Sequence, residues 1–330
     1  MTVLKTLSTP IILFHGMGGA ILRNTREEII YPPSLSRFFF KTHDWKKQIS
    51  AFDEGNDTLK TMGFGDKKSL DISSVSSFCR NKDYYSEFVK NENIHPAPFD
   101  FRKIHIPAYI EYDYFPRLKS YIESFKEPVV FFSHSTGGLV SHWFLAKQSR
   151  EWKNIHIRSA VYVSVPFSGV VLVLKILLWP SFADRMVGTD ILRKLGGFIL
   201  NLPDPSDYVD DIIIPIVDYL RFFNLYDIEK KRKDSSELLG SLKHNTGVKT
   251  HIVYTLGNEP KTHVGYRIDM EKKKILSPIL GIGDGVVSKE SLLFPKKWAN
   301  QERVFYHNIK DCSHSGILKS IELMEILKNT

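Results

Sequence analysis

The sequence predicts an α/β protein built on a mostly parallel sheet that is flanked by helices. The first observation is a set of short, continuous apolar runs, and this pattern is typical of strands that are buried on both faces. The second is their order, because the run at 129–132 is followed by an apolar helix and then by another run at 160–165. Strand, helix and strand in this order imply a parallel pair with a right-handed crossover. The chain of 330 residues is long enough for one large core with insertions.

Five apolar runs are predicted to form the sheet, at 11–14, 129–132, 160–165, 251–254 and 304–306. Helical spacing of apolar residues predicts helices over 112–125 and, near the end of the chain, 317–327. Two stretches lack this succession of apolar strands and amphipathic helices. Residues 24–78 are irregular and are interpreted as an excursion from the core, whereas residues 168–248 are largely helical and loop-like and are interpreted as a cap inserted over the sheet.

The composition is that of a globular protein with a basic balance. Hydrophobic residues make up 42% and charged residues 25%, and the net charge is +8. Such a balance favours anionic partners, either nucleic acid or an anionic membrane surface. The lysines form short clusters, at 230–233 and 272–274, and no nucleic-acid-binding motif accompanies them. Solvated surface lysines are therefore the first interpretation, and membrane attraction is the second.

The cysteines and the apolar stretches predict where the protein acts. Cys79 and Cys312 do not make a disulfide framework, so two free thiols are expected. A signal-peptide pattern is lacking at the amino terminus. The longest apolar stretch, 170–179, is interrupted by Lys175 and is shorter than the roughly 20 residues that span a bilayer. We expect a cytoplasmic or peripherally membrane-associated protein.

The segment S-H-S-T-G at 133–137 lies between the second apolar run and an apolar helix. A nucleophilic serine needs this setting, because its hydroxyl must project above the sheet edge from a strained turn flanked by small residues. Five residues alone would fit a chance turn equally well. The flanking strand and helix favour a nucleophile elbow at Ser135, and with it the α/β-hydrolase fold.

A serine hydroxyl needs a base, and the base needs an acid that orients it. In this fold the acid and then the histidine follow the serine along the chain. Asp284 lies in the glycine-rich turn G-I-G-D-G-V-V, although a simple Asp-Gly turn is the commoner role of that dipeptide. His314, in a polar loop before the last helix, is predicted to be the base. His307 lies closer to the last strand and is predicted to be structural.

Two backbone N–H groups are needed to stabilise the oxyanion of the reaction. One is predicted at Thr136, directly after the nucleophile, and the other at Met17 in the loop H-G-M-G-G after the first strand. His15 in the same loop is interpreted as a residue that orders the loop. This chemistry requires no metal or organic cofactor, and none is predicted.

Further segments resemble the lecithin:cholesterol acyltransferase family and keep its order from about residue 10 to residue 325. The segment A-P-F-D-F-R at 97–102 resembles the family signature A-P-Y-D-W-R, and M-G-F-G at 62–65 resembles P-G-F-G. The elbow resembles H-S-M-G-G-L, and G-D-G-V-V at 283–287 resembles G-D-G-T-V. The segments at 165–169, at 254–257 with 265–266, and at 314–318 are similar to three more family blocks.

The resemblance implies a phospholipase A or O-acyltransferase. Such an enzyme moves an acyl chain from a glycerophospholipid to Ser135 and then to water or an alcohol. Within a single hydrolase domain, 1–330, the resemblance implies that 24–78 is a lid and membrane-contact region and that 168–248 is a cap that lines the acyl track. Candidates for lid or substrate contact are Trp45, Phe64, Phe99 and Phe167. For Trp45 and Phe64, ordinary core packing is the alternative.

Some positions depart from the family pattern. Extracellular members carry a disulfide in the lid segment, whereas residues 24–77 contain no cysteine. Phe99 and Phe101 replace Tyr and Trp, and Ser133 replaces a glycine of the elbow. Asp100 and Arg102 are interpreted as a structural ion pair that holds their loop against the sheet, with substrate orientation as the alternative.

Two other functions stay open at the level of sequence. One is a different serine hydrolase, such as a thioesterase or glycolipid deacylase, and the other is a catalytically silent lipid-binding protein. The presence of all three triad residues argues against the second. The expected partners are a phospholipid substrate and an anionic membrane surface, with no nucleic acid, while the acceptor and the oligomeric state are left undetermined.

Overall fold

The structure is a computed structural model that describes residues 7–33, 41–54, 56–70, 85–181, 185, 187–204, 216–259, 261–269 and 271–330. Its strands are β1 Ile11–Phe14, β2 Leu22–Arg23, β3 Ile29–Tyr31, β4 Ile94–Pro96, β5 Val129–His134, β6 Ile157–Val163, β7 Thr250–Tyr254, β8 Thr262–Asp269, β9 Lys274–Gly281 and β10 Val304–Asn308.

The α-helices of the described residues are α1 Thr42–Ser50, α2 Ser86–Val89, α3 Pro107–Tyr109, α4 Phe115–Glu123, α5 Thr136–Ala146, α6 Arg150–His156, α7 Val171–Leu178, α8 Thr189–Lys194, α9 Gly196–Leu200, α10 Ile216–Phe222, α11 Tyr226–Asp234, α12 Ser236–Ser241, α13 Lys289–Leu292 and α14 Ile321–Lys328. A π-helical turn, Ile110–Tyr114, joins α3 to α4. Short 3₁₀ helices cover Ala51–Glu54, Lys67–Ser69, Phe294–Lys297 and Gly316–Lys319. None of the described helices is long and apolar enough to cross a membrane.

Six strands form one parallel sheet in the order β10-β7-β6-β5-β1-β4. Strand β5 is central and pairs with β1 on one side and β6 on the other. All six of its residues are buried, because helices cover both faces of the sheet. The carboxyl ends of parallel strands meet at one edge, so the loops after β1, β5 and β10 lie together. The predicted fold class is confirmed.

The five predicted runs are all strands of this sheet; the first has the predicted bounds, and the other four have shifted ends. Strand β6 covers Ile157–Val163 rather than 160–165, because Ser164 has a φ of 51° and leaves the extended conformation. The predicted closing helix is two helices, since Ser320 accepts a hydrogen bond from the N–H of Leu323 and begins α14. The sixth strand, β4, is only three residues long, and its pattern predicts no strand.

Two antiparallel hairpins lie outside the main sheet. Strands β2 and β3 form one, and β8 and β9 form the other, directly before the turn of Asp284. The interpretation of 24–78 as irregular is wrong for 42–50, which form α1. Helices α7 to α12 fall within 168–248, as predicted for its described part. Cys79 lies outside the described residues, and Cys312 makes no disulfide among them.

Candidate active site

Ser135 lies at the turn between β5 and α5, at the carboxyl edge of the sheet. Its φ of 54° and ψ of −131° are unusual for a residue with a side chain, as expected of a serine in a strained strand-to-helix turn. The turn is fixed by the N–H of Ser135, which donates to the carbonyl oxygen of Val163 at 2.9 Å. The serine side chain therefore projects from the sheet edge.

The close approach of β1 and α5 explains the small residues beside Ser135. A Cβ atom on Gly137 would lie 2.4 Å from the carbonyl oxygen of His15, and one on Gly138 would lie 2.2 Å from a methyl group of Val165. Ser133, where some members of the family carry glycine, is accommodated because its Oγ lies 2.7 Å from the Oγ of Ser141 in α5. This departure leaves no buried hydroxyl without a partner.

Asp284 and His314 meet Ser135 although they are distant along the chain. His314 Nε2 lies 3.0 Å from Ser135 Oγ, and His314 Nδ1 lies 2.7 Å from Asp284 Oδ2. Because the carboxylate accepts, Nδ1 carries the proton of the neutral imidazole and Nε2 presents its lone pair to the serine hydroxyl. The arrangement has the geometry of a nucleophile, a base and an orienting acid.

The electrostatics of Asp284 favour its ionised form. Burial alone would raise the pKa of this carboxyl group, but the attraction of His314 and the hydrogen bonds from His314, Val287 and Val286 hold the pKa below its usual value. The N–H groups of Val286 and Val287 both donate to Oδ1, at 2.9 and 2.8 Å. Oδ2 thus stays available to His314. A carboxylate held in this way keeps one imidazole orientation.

The loop after β1 lies against the nucleophile. A Cβ atom on Gly16 would lie 3.2 Å from the Cβ of Ser135, and one on Gly197 of α9 would lie 1.9 Å from the Sδ of Met17. Thr136 is tied from the other side, since Asn201 Nδ2 donates to its Oγ1 at 2.8 Å. The residues predicted to supply the oxyanion amides, Met17 and Thr136, therefore flank Ser135, and their role stays a prediction.

His134 joins the loop after β1 to the loop of His314 through a network that the sequence analysis missed. The hydroxyl of Tyr85 accepts from the N–H of Gly16 at 2.7 Å and lies 2.9 Å from Nδ1 of His134. Nε2 of His134 lies 3.2 Å from the backbone carbonyl oxygen of His314. Because that oxygen only accepts, Nε2 carries the proton and Nδ1 accepts from the Tyr85 hydroxyl. Burial and the neighbouring His314 lower the pKa of His134 to about 3, so it stays neutral.

His15 has the loop-ordering contacts that the sequence predicts for it. Its ring stacks on Phe99 with centroids 4.0 Å apart, its Nδ1 lies 2.7 Å from the carbonyl oxygen of Gly16, and its Nε2 accepts from the N–H of Phe99 at 3.2 Å. Burial lowers its pKa to about 4. His307 is placed elsewhere, where Nε2 lies 3.0 Å from Nδ1 of His251 in the neighbouring strand.

The four aromatic candidates for lid or substrate contact pack inside the protein. Trp45 is 3% exposed and donates its ring N–H to the carbonyl oxygen of Ile30. Phe64 is partly buried and lies between the rings of Tyr114 and Tyr121. Phe99 and Phe167 are buried as well. For Trp45 and Phe64 this is the packing that the sequence analysis kept as the alternative.

Arg102 is fully buried and pairs with two carboxylates. Its Nε and one terminal nitrogen donate to Asp100 at 2.9 and 2.6 Å, and both terminal nitrogens donate to Asp57 at 3.2 and 3.0 Å. Burial alone would lower the pKa of Arg102, but the two carboxylates raise it. A contact with the carbonyl oxygen of Ile49 completes the Arg102 clamp. The pair has structural contacts as predicted, although it ties its loop to the segment of α1 rather than to the sheet.

No group of three or more metal-ligating side chains occurs in the part of the chain that the structure describes. The reactive groups of the candidate site are the hydroxyl of Ser135, the imidazole of His314 and the carboxylate of Asp284. Among the site residues, Tyr85 and Asn201 were missed because the site residues that they contact, His134 and Thr136, lie 49 and 65 residues away along the chain. Their sequence neighbourhoods carry no motif.

Comparisons with known proteins identify relatives of the chain. The sequence model of the lecithin:cholesterol acyltransferase family matches residues 82–194, which include the elbow. The chain is 27% identical to the phosphatidylcholine-sterol acyltransferase of Gallus gallus over an alignment of 241 residues, with 67% of this chain and 57% of that one covered. It is 24% identical to the lysosomal phospholipase A and acyltransferase of Rattus norvegicus over an alignment of 314 residues, with 85% of this chain and 74% of that one covered.

The chain is thus similar to the lecithin:cholesterol acyltransferase family, by the family model over residues 82–194 and by these relatives over a larger part of its length. The resemblance seen in the sequence is thereby confirmed, and the chain is a serine-dependent enzyme of the acyl hydrolase and acyltransferase class. Among solved structures, a chain in the crystal structure of the Tle4–Tli4 complex is similar, with a TM-score of 0.56 at 12% identity and 97% of both chains covered. At this identity the likeness supports the fold alone.

Proposed function

We propose that this chain, like an enzyme of the lecithin:cholesterol acyltransferase type, transfers a fatty acyl group from a glycerophospholipid to Ser135 and then to water or an alcohol. The observation that carries the proposal is the contact of His314 with both Ser135 Oγ, at 3.0 Å, and Asp284, at 2.7 Å. The names of its relatives support a phospholipid as the acyl donor.

In the first half of the reaction, His314 Nε2 takes the proton of Ser135 Oγ as the oxygen attacks the ester carbonyl carbon. The amides of Met17 and Thr136 stabilise the resulting oxyanion. Asp284 holds the imidazolium in place. The tetrahedral intermediate collapses when His314 gives its proton to the leaving lysolipid oxygen, and an acyl ester remains on Ser135.

In the second half, water or an acceptor alcohol gives a proton to His314 and attacks the acyl carbon. Collapse of this intermediate returns the proton to Ser135 Oγ and releases a fatty acid or a new ester. Exclusion of water decides between the two products. We assign that role to the cap, 168–248, and the lid, 24–78. Support for the cap comes from Asn201 and Gly197, which contact Thr136 and Met17.

Replacing Ser135 tests the proposal. We expect Ser135→Ala to lose acyl release from vesicles of a mixed-chain phosphatidylcholine, and to lose labelling by a fluorophosphonate, because the nucleophilic oxygen is gone. Ser124→Ala is the matched control, since Ser124 is an exposed serine whose hydroxyl contacts only the helix end at Tyr121. Mass analysis of the products, with and without an added alcohol, identifies the cleaved ester and the acceptor.

Acyl release by Ser135→Ala at the rate of the wild type would overturn the assignment. A wild type that is labelled but cleaves acyl thioesters and leaves phospholipids intact would overturn the substrate class and would favour a thioesterase instead.

A further inference from the structure

The β8–β9 hairpin, residues 262–281, leaves the core beside the candidate site. At its base Thr262 pairs with Gly281, and Thr262 Oγ1 accepts from the N–H of Gly285 at 2.9 Å, next to Asp284. Each strand has eight residues and is therefore about 27 Å long. The hairpin thus extends the surface of the protein from the edge where Ser135 and His314 meet.

One face of β9 is packed and the other faces solvent. Ile275 is buried and belongs to the main hydrophobic core, and α7 packs against β8. Every second residue of β9 is exposed instead: Lys274, Leu276, Pro278 and Leu280. Leu276 is 55% exposed and Leu280 is 46% exposed. The outer face is an apolar strip, which we call the hairpin strip and define as Leu276, Pro278 and Leu280.

Positive charge borders the turn end of the hairpin strip. Residues 261–281 contain five basic and two acidic residues. Three of the basic residues, at 272–274, are exposed and lie at the turn end of the strip. Lys272 has only a 3.8 Å contact to Asp269 and is 77% exposed. An apolar strip bordered by lysines fits an anionic lipid surface, because leucines enter the acyl boundary while ammonium groups meet the phosphates.

An exposed apolar residue at the other end of the sheet provides a comparison. Ile155, which is 64% exposed, lies in α6 just before β6 begins, at the opposite end of the sheet from Ser135. Its neighbours in the helix are polar. Single exposed apolar residues of this kind are ordinary. The hairpin strip differs because its apolar residues are contiguous, are bordered by positive charge and start at the candidate site.

We propose that the hairpin strip docks the chain on an anionic phospholipid surface and holds the sheet edge with Ser135 towards the lipid. The proposal rests on the proposed function in one respect, namely that the acyl donor lies in the same bilayer. The contact is peripheral, because the strip is one strand wide and its basic border stays at the headgroups.

Flotation with vesicles tests the docking surface without catalysis. In a Ser135→Ala background, we expect the chain to float with vesicles of phosphatidylcholine that contain about 30% phosphatidylglycerol, and less with phosphatidylcholine alone. Leu276→Ser with Leu280→Ser should lower the bound fraction by about 10-fold, because the buried apolar contact is lost. Lys272→Ser with Lys274→Ser should remove the preference for the anionic vesicles. Ile155→Ser is the matched control and should float like its parent.

Each outcome decides the proposal. Circular dichroism checks that every variant is folded. If the leucine double variant is unfolded, the lysine double variant tests the same surface. Flotation of the folded leucine variant at the level of its parent would overturn the docking surface. A dimer in solution that the leucine substitutions dissociate, without flotation, would overturn it in favour of self-association. Labelling of the wild type by a fluorophosphonate without flotation contradicts the docking surface alone, and flotation without labelling contradicts the proposed function alone.

Discussion

The serine side of the candidate site is held by packing, whereas its histidine side is held by hydrogen bonds. Ser135 lies between β5, which is entirely buried, and α5, in which every residue from Thr136 to Leu145 is buried. Asp284 and His314 lie in loops. N–H groups of the same turn position Asp284, and the distant His134 contacts the backbone carbonyl oxygen of His314. The serine side should therefore be sensitive to added volume, and the histidine side to the loss of a single polar atom.

The largest effect on the histidine side is expected from Asp284→Asn. The amide keeps the volume but places an NH₂ group or a neutral oxygen beside His314 Nδ1, so the imidazole loses its fixed tautomer. We expect kcat to fall by about 10⁴-fold with little change in folding. The measurement is hydrolysis of a soluble ester, with circular dichroism as the folding check.

Asp311→Asn is the control, because Asp311 is exposed in the same loop and its φ of 56° suits asparagine as well. Activity of Asp284→Asn within a few fold of the wild type would mean that the carboxylate does not orient the base. The histidine side would then not depend on single polar atoms, as the comparison of the two sides requires.

On the serine side, Gly137→Ala should act through volume. The added methyl group would meet the carbonyl oxygens of His15 and Phe14 at 2.4 and 2.6 Å, and these backbone atoms belong to the end of β1 and its loop. We expect the free energy of unfolding to fall by about 1–3 kcal/mol, measured in urea.

Gly240→Ala provides the matched control. Gly240 lies in α12, and a Cβ atom there would have no heavy atom within 4 Å. Since alanine favours the helix, this variant should be stabilised by about 0.5–1 kcal/mol. Equal stability of the two variants would show that the elbow is not tightly packed.

Tyr85→Phe sharpens the comparison by removing one oxygen from the network of His134. The N–H of Gly16 and Nδ1 of His134 both lose this partner, so the loops of Met17 and His314 lose a connection. We expect kcat to fall by about 10-fold, which corresponds to about 1.4 kcal/mol, with KM almost unchanged.

Tyr112→Phe is the control, since Tyr112 is 78% exposed on the π-helical turn. A Tyr85→Phe enzyme with the kcat of the wild type and an unchanged pH profile would show that the network has no role in positioning the base.

The same contrast explains what the sequence predicts and what it does not. The elbow is encoded locally, because an apolar strand, small residues and an apolar helix follow one another at 129–146. Chain order within the fold was enough to select Asp284 and His314. The role of His134 was not predictable although it neighbours Ser135, because its partners, Tyr85 and the carbonyl of His314, come from remote loops.

Short elements and buried aromatic residues were also beyond prediction. Strand β4 has three residues and contains a proline, so no alternation shows in it. The hairpin of β8 and β9 mixes apolar and charged positions, and register shifts interrupt its pairing. Trp45 reads as a surface aromatic in a polar helix, yet its burial depends on packing against β3 and the core.

The Arg102 clamp restricts how this part of the chain can change by mutation. The guanidinium is 0% exposed, and it shares Asp57 and Asp100 with Lys103, so that two cations balance two carboxylates. Removing either acid leaves two cations with one carboxylate, and removing the arginine leaves Lys103 to balance two carboxylates. A one-sided loss in a buried pair costs about 3–5 kcal/mol, a large share of the stability of a typical domain. A substitution at any one of these positions is therefore tolerated only together with compensating substitutions at the others.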